Sequence, residues 1–178
     1  MTGVFVQPGD LLLVRTGGPA GFLIRLGAAL SDRPNMDNHV AGYISPTMQL
    51  GAIEGRPGGV GWADAARYLA SPYTVTNVGQ PKTAAQRQVV VDGFKAALGT
   101  DYDWRAIAED AMKAFGIPLS LAWARRGGLV PGHVVCSSLA AYYYAHAGLA
   151  CPPGGRLATP GDWLDLIYQQ GWQRPGRP

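Results

Sequence analysis

Apolar residues in the first half of this chain come in short runs separated by turn chemistry, and in the second half they recur at helical spacing. Pro8-Gly9-Asp10 marks a turn, and the run after it predicts a buried strand over 11–15. Residues 20–30, with Phe22, Ile24 and Leu26, predict a short helix, and the polar stretch 31–38, which contains Pro34, predicts a loop. Strands are expected over 39–44 and 49–54, joined by a turn at Ser45-Pro46-Thr47-Met48. The Gly/Pro-rich segment 55–61 predicts a loop, 63–69 a short helix, and the β-branched alternation of 73–78 another strand.

The helix over 83–98 carries the clearest periodicity. Ala84, Val91, Phe94 and Leu98 share a face, Thr83 can cap it with Gln86 three residues on, and Gly99 ends it. A second helix is expected over 104–115, stopped by Gly116 and Pro118, and 119–131 follows no single period. Val134-Val135 leads into a helix over 136–147 that ends at Gly148. Thr159-Pro160-Gly161-Asp162 opens a final helix through residue 168, and the tail after Gly171 is expected to be loose. Strands early and helices late predict an α+β fold, a small antiparallel sheet packed against helices.

Composition narrows the function classes. A length of 178 residues suits one domain over 1–178, and 47% apolar against 15% charged residues is enough for a core. Twenty-five glycines and 14 prolines argue against a plain helix bundle. The formal net charge of +3 is too mild for the dense basic patches of a nucleic-acid binder. No apolar run approaches the ~18 residues of a membrane span. The start, Met1-Thr2-Gly3-Val4, lacks a basic stretch followed by an apolar one, so the chain is expected to be cytoplasmic as synthesised. Two cysteines, Cys136 and Cys151, form no disulfide framework and no CxxC pair, and there is no GxxxxGK loop. Neither a metal nor a cofactor is expected.

Candidate chemistry starts from the predicted hairpin. A turn centred on Pro46-Thr47 would set His39 directly opposite Glu54, with Cβ atoms about 4.5–5.5 Å apart. Such a carboxylate orients an imidazole, fixes its tautomer and favours imidazolium. Taken alone, the pair is equally a polar contact across a sheet edge, and Asp37 is a rival partner for His39. Cys136 adds a nucleophile. Opening a helix, its thiol would feel the positive end of the helix dipole and unpaired N–H groups, which favour thiolate. A neighbouring imidazolium would lower the thiol pKa further, and the same N–H groups can face a developing oxyanion. A lone cysteine is also often only a small buried hydrophobe. Cys151, before Pro152-Pro153, has no partner pattern. His133 is either a group near the substrate or a plain loop histidine, and His146 falls late in its helix, where a cation is favoured structurally.

The order of motifs is itself informative: Gly9-Asp10-Leu11-Leu12, Asn38-His39-Val40, Ile53-Glu54 with Gly59-Val60, Tyr102-Asp103-Trp104, Val135-Cys136-Ser137-Ser138-Leu139 and Thr159-Pro160-Gly161-Asp162. Over about residues 8–166 it resembles the circularly permuted NlpC-type, papain-fold cysteine hydrolases, in particular the YiiX-like branch. In that branch the His strand precedes the Cys helix. The resemblance implies a permuted papain-like fold with Cys136 as nucleophile, His39 as general base and acid, and Glu54 orienting the ring. It implies a peptide or acyl substrate: cell-wall peptides or other γ-linked peptides for the peptidase relatives, lipid acyl groups for the relatives similar to lecithin retinol acyltransferases. A non-catalytic binding or structural module on the same scaffold, of phage origin for instance, is the third reading. Residues 106–132 match no motif of the family and are expected to be a surface excursion or a lid.

Overall fold

β1 (Leu11–Val14) and β2 (His39–Tyr43) form the centre of an antiparallel sheet, with every one of their residues buried. The computed structural model describes residues 5–17, 39–48, 50–56, 58–102, 133–153 and 158–173. Among these, β3 (Ala52–Arg56), β4 (Gly59–Ala63) and β5 (Val75–Thr76) complete a five-stranded sheet in the order β4-β3-β2-β1-β5. Among the described residues four helices accompany it: α1 (Ala65–Ala70), α2 (Ala84–Ala96), α3 (Cys136–His146) and α4 (Pro160–Gln169). The architecture is α+β.

Strand alternation sends side chains to two separate cores. On one face Leu11, Leu13, Val40 and Ile53 meet Val90 and Phe94 of α2, Leu139 and Tyr144 of α3, and Trp163 of α4. On the other, Leu12, Val14, Ala41, Tyr43 and Ala52 pack with Ala65, Tyr68 and Leu69 of α1. Gly42 allows α2 to approach β2: a Cβ there would lie 2.7 Å from the fully buried Phe94 ring. The helix starts follow local sequence. Thr83 Oγ1 accepts from the Gln86 N–H at 3.2 Å while Gln86 Oε1 accepts from the Thr83 N–H at 3.0 Å, and Thr159 and Asp162 repeat the exchange at α4.

The β2–β3 hairpin differs from the expected one. Its register pairs Ala41 with Glu54, Gly42 with Ile53 and Tyr43 with Ala52, so Glu54 does not face His39 directly. The turn is longer than Ser45 to Met48, and β3 starts at Ala52 rather than at residue 49. The N–H groups of Ile44 and Ser45 both donate to the Gly51 carbonyl, at 2.8 and 3.1 Å. A Cβ on Gly51 would collide with the Ser45 carbonyl oxygen, so glycine lets the chain close there. The segment 55–61 is not a loop. β3 runs through Arg56 and pairs with β4 from Arg56–Gly59 to Ala52–Ala63, because Val60 is buried and supplies apolar surface that glycine counting overlooks. The strand expected over 73–78 shortens to Val75–Thr76. A parallel pair, β6 (Asp101–Tyr102) with β7 (His133–Val134), has no signature in local periodicity. It adjoins β4 through the Val60 N–H, which donates to the Thr100 carbonyl at 2.8 Å. The helices expected over 20–30 and 104–115, and the excursion over 106–132, lie outside the described residues.

Candidate active site

α3 begins at Cys136, directly after β7 and the extended residue Val135 (φ −104, ψ 154). A valine has no side-chain acceptor, so the residue at this helix start makes no side-chain cap. The Ser138 hydroxyl instead serves Val135, accepting from its N–H at 3.3 Å and donating to its carbonyl at 3.0 Å. N–H groups in the first turn of a helix lack intrahelical acceptors, and here one of them, that of Ser137, meets the thiol. Cys136 is 4% exposed. Its sulfur receives backbone hydrogen bonds from Val40 and Ser137. The β2–β3 ladder runs only from Tyr43–Ala52 to Ala41–Glu54, so Val40 stands just beyond its end.

His39, the first residue of β2, is buried between two partners. Its Nε2–H donates to Glu54 Oε2 at 2.9 Å. The ring is also hydrogen-bonded to Cys136. With Nε2 taken by the carboxylate, Nδ1 is the ring nitrogen left for the sulfur. Burial alone would lower the pKa of His39, but the Cys136 charge, the bond to Cys136 and the bond to Glu54 outweigh it and push it up to about 10. Burial likewise acts to raise Cys136, yet the His39 charge and its hydrogen bond carry the thiol below its ordinary value. Together these favour a thiolate–imidazolium pair.

Glu54 is 5% exposed and is served by three groups. Oε2 accepts from His39 and from the Tyr68 hydroxyl, the latter at 2.6 Å. Arg56 Nη1 lies 3.8 Å from Oε1. Burial opposes the charged carboxylate, but these donors hold its pKa below the usual value. His39, Glu54 and Tyr68 come from β2, β3 and α1, three neighbouring elements.

The axial position of α3 decides whether the sulfur meets the ring. Tyr144, eight residues after Cys136 and fully buried, donates its hydroxyl to the Gly9 carbonyl at 2.6 Å. The Gly9 N–H donates to the Tyr43 carbonyl at 2.8 Å. Eight residues of helix rise about 12 Å, and the four steps from His39 to Tyr43 rise about 13 Å. Pinning Tyr144 level with Tyr43 therefore sets Cys136 level with His39. The pin is part of a buried network. Asn77 Nδ2 donates to Tyr144 Oη at 3.0 Å, and Asn77 Oδ1 accepts from the Leu11 N–H at 2.8 Å. Asp10 Oδ1 accepts from Lys82 and Arg87, both at 2.8 Å. At the other end of α3, the Trp163 indole donates to the Ser137 carbonyl at 3.1 Å.

The structure thus brings Cys136, His39 and Glu54 together. Cys151 is apart from this cluster in its electrostatics: half-buried, with its thiol pushed up by burial. His146 is stacked on Tyr142, with ring centroids 6.0 Å apart. His133 belongs to β7, and Asp37 lies outside the described residues. Two residues escaped the sequence reading. Tyr68 had no signal beyond a short amphipathic segment, and Asp10 was read as turn chemistry although it is fully buried. Among the described residues no cluster of His, Cys, Asp and Glu could hold a metal ion, and no helix is long and apolar enough to cross a membrane. No protein-family model, curated protein or solved structure matches this chain.

Proposed function

We propose that this chain is a thiol-dependent hydrolase of amide bonds, with Cys136 as nucleophile, His39 as general base and acid, and Glu54 as the group that orients the ring. The observation that carries the reading is the buried imidazole of His39, bonded to Glu54 through Nε2 and to the thiol at the start of α3. The order of strand histidine before helix cysteine suits a permuted papain-like fold of the NlpC type, and with it a peptide substrate such as a cell-wall or other γ-linked peptide.

The chemistry follows from the arrangement. The Cys136 thiolate attacks the carbonyl carbon, a C–S bond forms, and the carbonyl electron pair moves to oxygen. First-turn N–H groups of α3 stabilise that oxyanion. The C–N bond then breaks as the His39 imidazolium gives its proton to the leaving nitrogen, and a thioester remains. Water attacks the thioester while His39 takes its proton; the acid leaves and the pair is restored. Glu54 keeps Nε2–H in place and stabilises the cationic ring, as the carboxylate of a triad does.

The test has two parts. Iodoacetamide at pH 6 is expected to label Cys136 well ahead of Cys151, because only thiolate alkylates efficiently; equal, slow labelling of both would point to a non-catalytic module. Purified cell-wall peptides and short acyl esters are then offered to the protein and to Cys136→Ala. Peptide turnover lost in the variant supports the amidase, ester turnover alone lost in the variant favours the lipid acyl alternative, and turnover by neither substrate rejects both.

A further inference from the structure

The relay does not end at Glu54. We propose that Tyr68 is a positioning residue of this site: its hydroxyl donates to the same carboxylate oxygen that accepts from His39 and so keeps Glu54 ionised and aimed at Nε2. The inference rests on the thiolate–imidazolium reading of Cys136 and His39.

Three observations carry it. The Tyr68 hydroxyl lies 2.6 Å from Glu54 Oε2, within the range of a charge-assisted O–H···O bond. That oxygen is also the one 2.9 Å from His39 Nε2, so one atom gathers both donors. Glu54 is buried, where a carboxylate with too few donors would take up a proton. With two donors on Oε2, that oxygen does not compete for the Nε2 proton, and Nδ1 remains the position that exchanges a proton with the thiol. α1 is anchored separately from this contact: Asp64 Oδ1 accepts from the Arg67 N–H at 3.0 Å, and the Thr74 hydroxyl donates to the Tyr68 carbonyl at 2.6 Å.

The charged and titratable groups around Glu54 come from each neighbouring element. β2 supplies His39, with Cys136 of α3 behind it, and α1 supplies Tyr68, with Arg67 next along the helix. Its own strand supplies Arg56, whose guanidinium leans over Gly61 of β4 and is 53% exposed. Water competes for that cation, so it holds the carboxylate less firmly than the phenol does. Below the pH at which Glu54 gains a proton, His39 stays cationic but loses the anionic acceptor that aims its ring, so the imidazolium is no longer held in place beside the Cys136 sulfur. Removing the Tyr68 donor moves that point upward.

The experiment is the pH profile of iodoacetamide alkylation of Cys136, read by mass spectrometry with Cys151 as internal reference, in the intact protein and in Tyr68→Phe. Phenylalanine keeps the ring and removes only the hydroxyl. The expected result is an acid limb displaced upward by about one pH unit, the size of one hydrogen bond to a charged group. Thr74→Val, which loosens α1 without touching Glu54, is expected to leave the limb in place. A Tyr68→Phe profile that superimposes on the original or moves down would overturn the role of Tyr68 alone, as would an equal shift in Thr74→Val. A Cys136 that alkylates like Cys151 in the unaltered protein would overturn the thiolate reading and this inference with it. If Tyr68→Phe fails to fold, 3-fluorotyrosine at position 68, a stronger donor, is read instead. A downward shift of the limb supports the proposal and an unchanged limb overturns it.

Discussion

Glu54 reaches His39 along the diagonal of the β2–β3 hairpin: its partner across the ladder is Ala41, yet its carboxylate lies 2.9 Å from the ring. Diagonal neighbours on one sheet face have Cα atoms about 7–8 Å apart, a gap that only a long side chain closes. The length of glutamate is therefore as important as its charge. Glu54→Asp, which retains charge but retracts the carboxylate, is expected to slow Cys136-dependent turnover about as much as Glu54→Gln. The loss in each is roughly 10- to 100-fold, the value of one hydrogen bond to a charged group. Full activity in Glu54→Asp, by steady-state kinetics, would show that the diagonal contact does not matter.

Stability should follow the protonation of the same cluster. His39 is raised from 6.5 to about 10, so its contribution is complete below 6.5 and is lost as pH climbs toward 10. Cys136 is lowered from 9.0, so its contribution is complete above 9.0 and is lost as pH falls toward its folded value. Between 6.5 and 9.0 the two slopes cancel, because the unfolded chain holds one proton on the thiol and the folded chain holds one on the ring. Glu54, lowered from 4.5, adds a further loss on the acid side. The melting-temperature advantage of the unaltered protein over Cys136→Ser is expected to be flat across that window and to shrink on both sides. An advantage still growing above pH 9.0 would contradict the ion pair.

The Asp10 network predicts an asymmetric double-mutant cycle. Lys82 has no exposed side-chain surface, and Asp10 is the anion 2.8 Å from it. Burial pulls the Lys82 pKa down, and Asp10 counters it. Asp10→Asn is expected to cost ~3–5 kcal/mol by leaving a buried cation unpaired, and Asp10→Asn combined with Lys82→Met to cost less than the single change. Urea denaturation measures both. Arg87, partly exposed, can turn its charge toward water in either variant.

Tyr144→Phe removes the donor to the Gly9 carbonyl and the acceptor of Asn77 Nδ2. Destabilisation of about 1–3 kcal/mol is expected from the groups left unpaired. Because this hydroxyl sets the height of α3 on the sheet, Cys136 alkylation at pH 6 should slow as well. A stability loss with unchanged alkylation would show that Trp163 alone registers the helix.

Gly42→Ala tests the approach of α2 to β2. The new methyl would sit 2.7 Å from the Phe94 ring, which is fully buried and cannot swing into solvent. A loss of about 1–3 kcal/mol is expected from overpacking, and the added truncation Phe94→Leu should recover part of it in the same denaturation assay.

Much of this was legible in the residues themselves, because some signals are local. Thr83 with Gln86, and Thr159 with Asp162, announce helix starts that need only three residues to form. Cys136 could be placed at a helix start from its immediate neighbours, Val134-Val135 before it and an apolar helical run after it. The shared face of His39 and Glu54 also survived a wrong register. Side chains repeat every two residues along a strand, and the expected pairing was off by two. What lay beyond reach depended on closures and contacts between distant segments. The turn grew because the Gly51 carbonyl could take two N–H groups. Asp10 became a buried anion because Lys82 and Arg87, more than seventy residues away, were folded onto it. Tyr68 found Glu54 because α1 docks on the second face of the sheet. Local propensity is summed over a few neighbouring residues, whereas the height of α3 against β2, and so the meeting of sulfur and imidazole, is set by hydrogen bonds that span the chain, such as Tyr144 to Gly9.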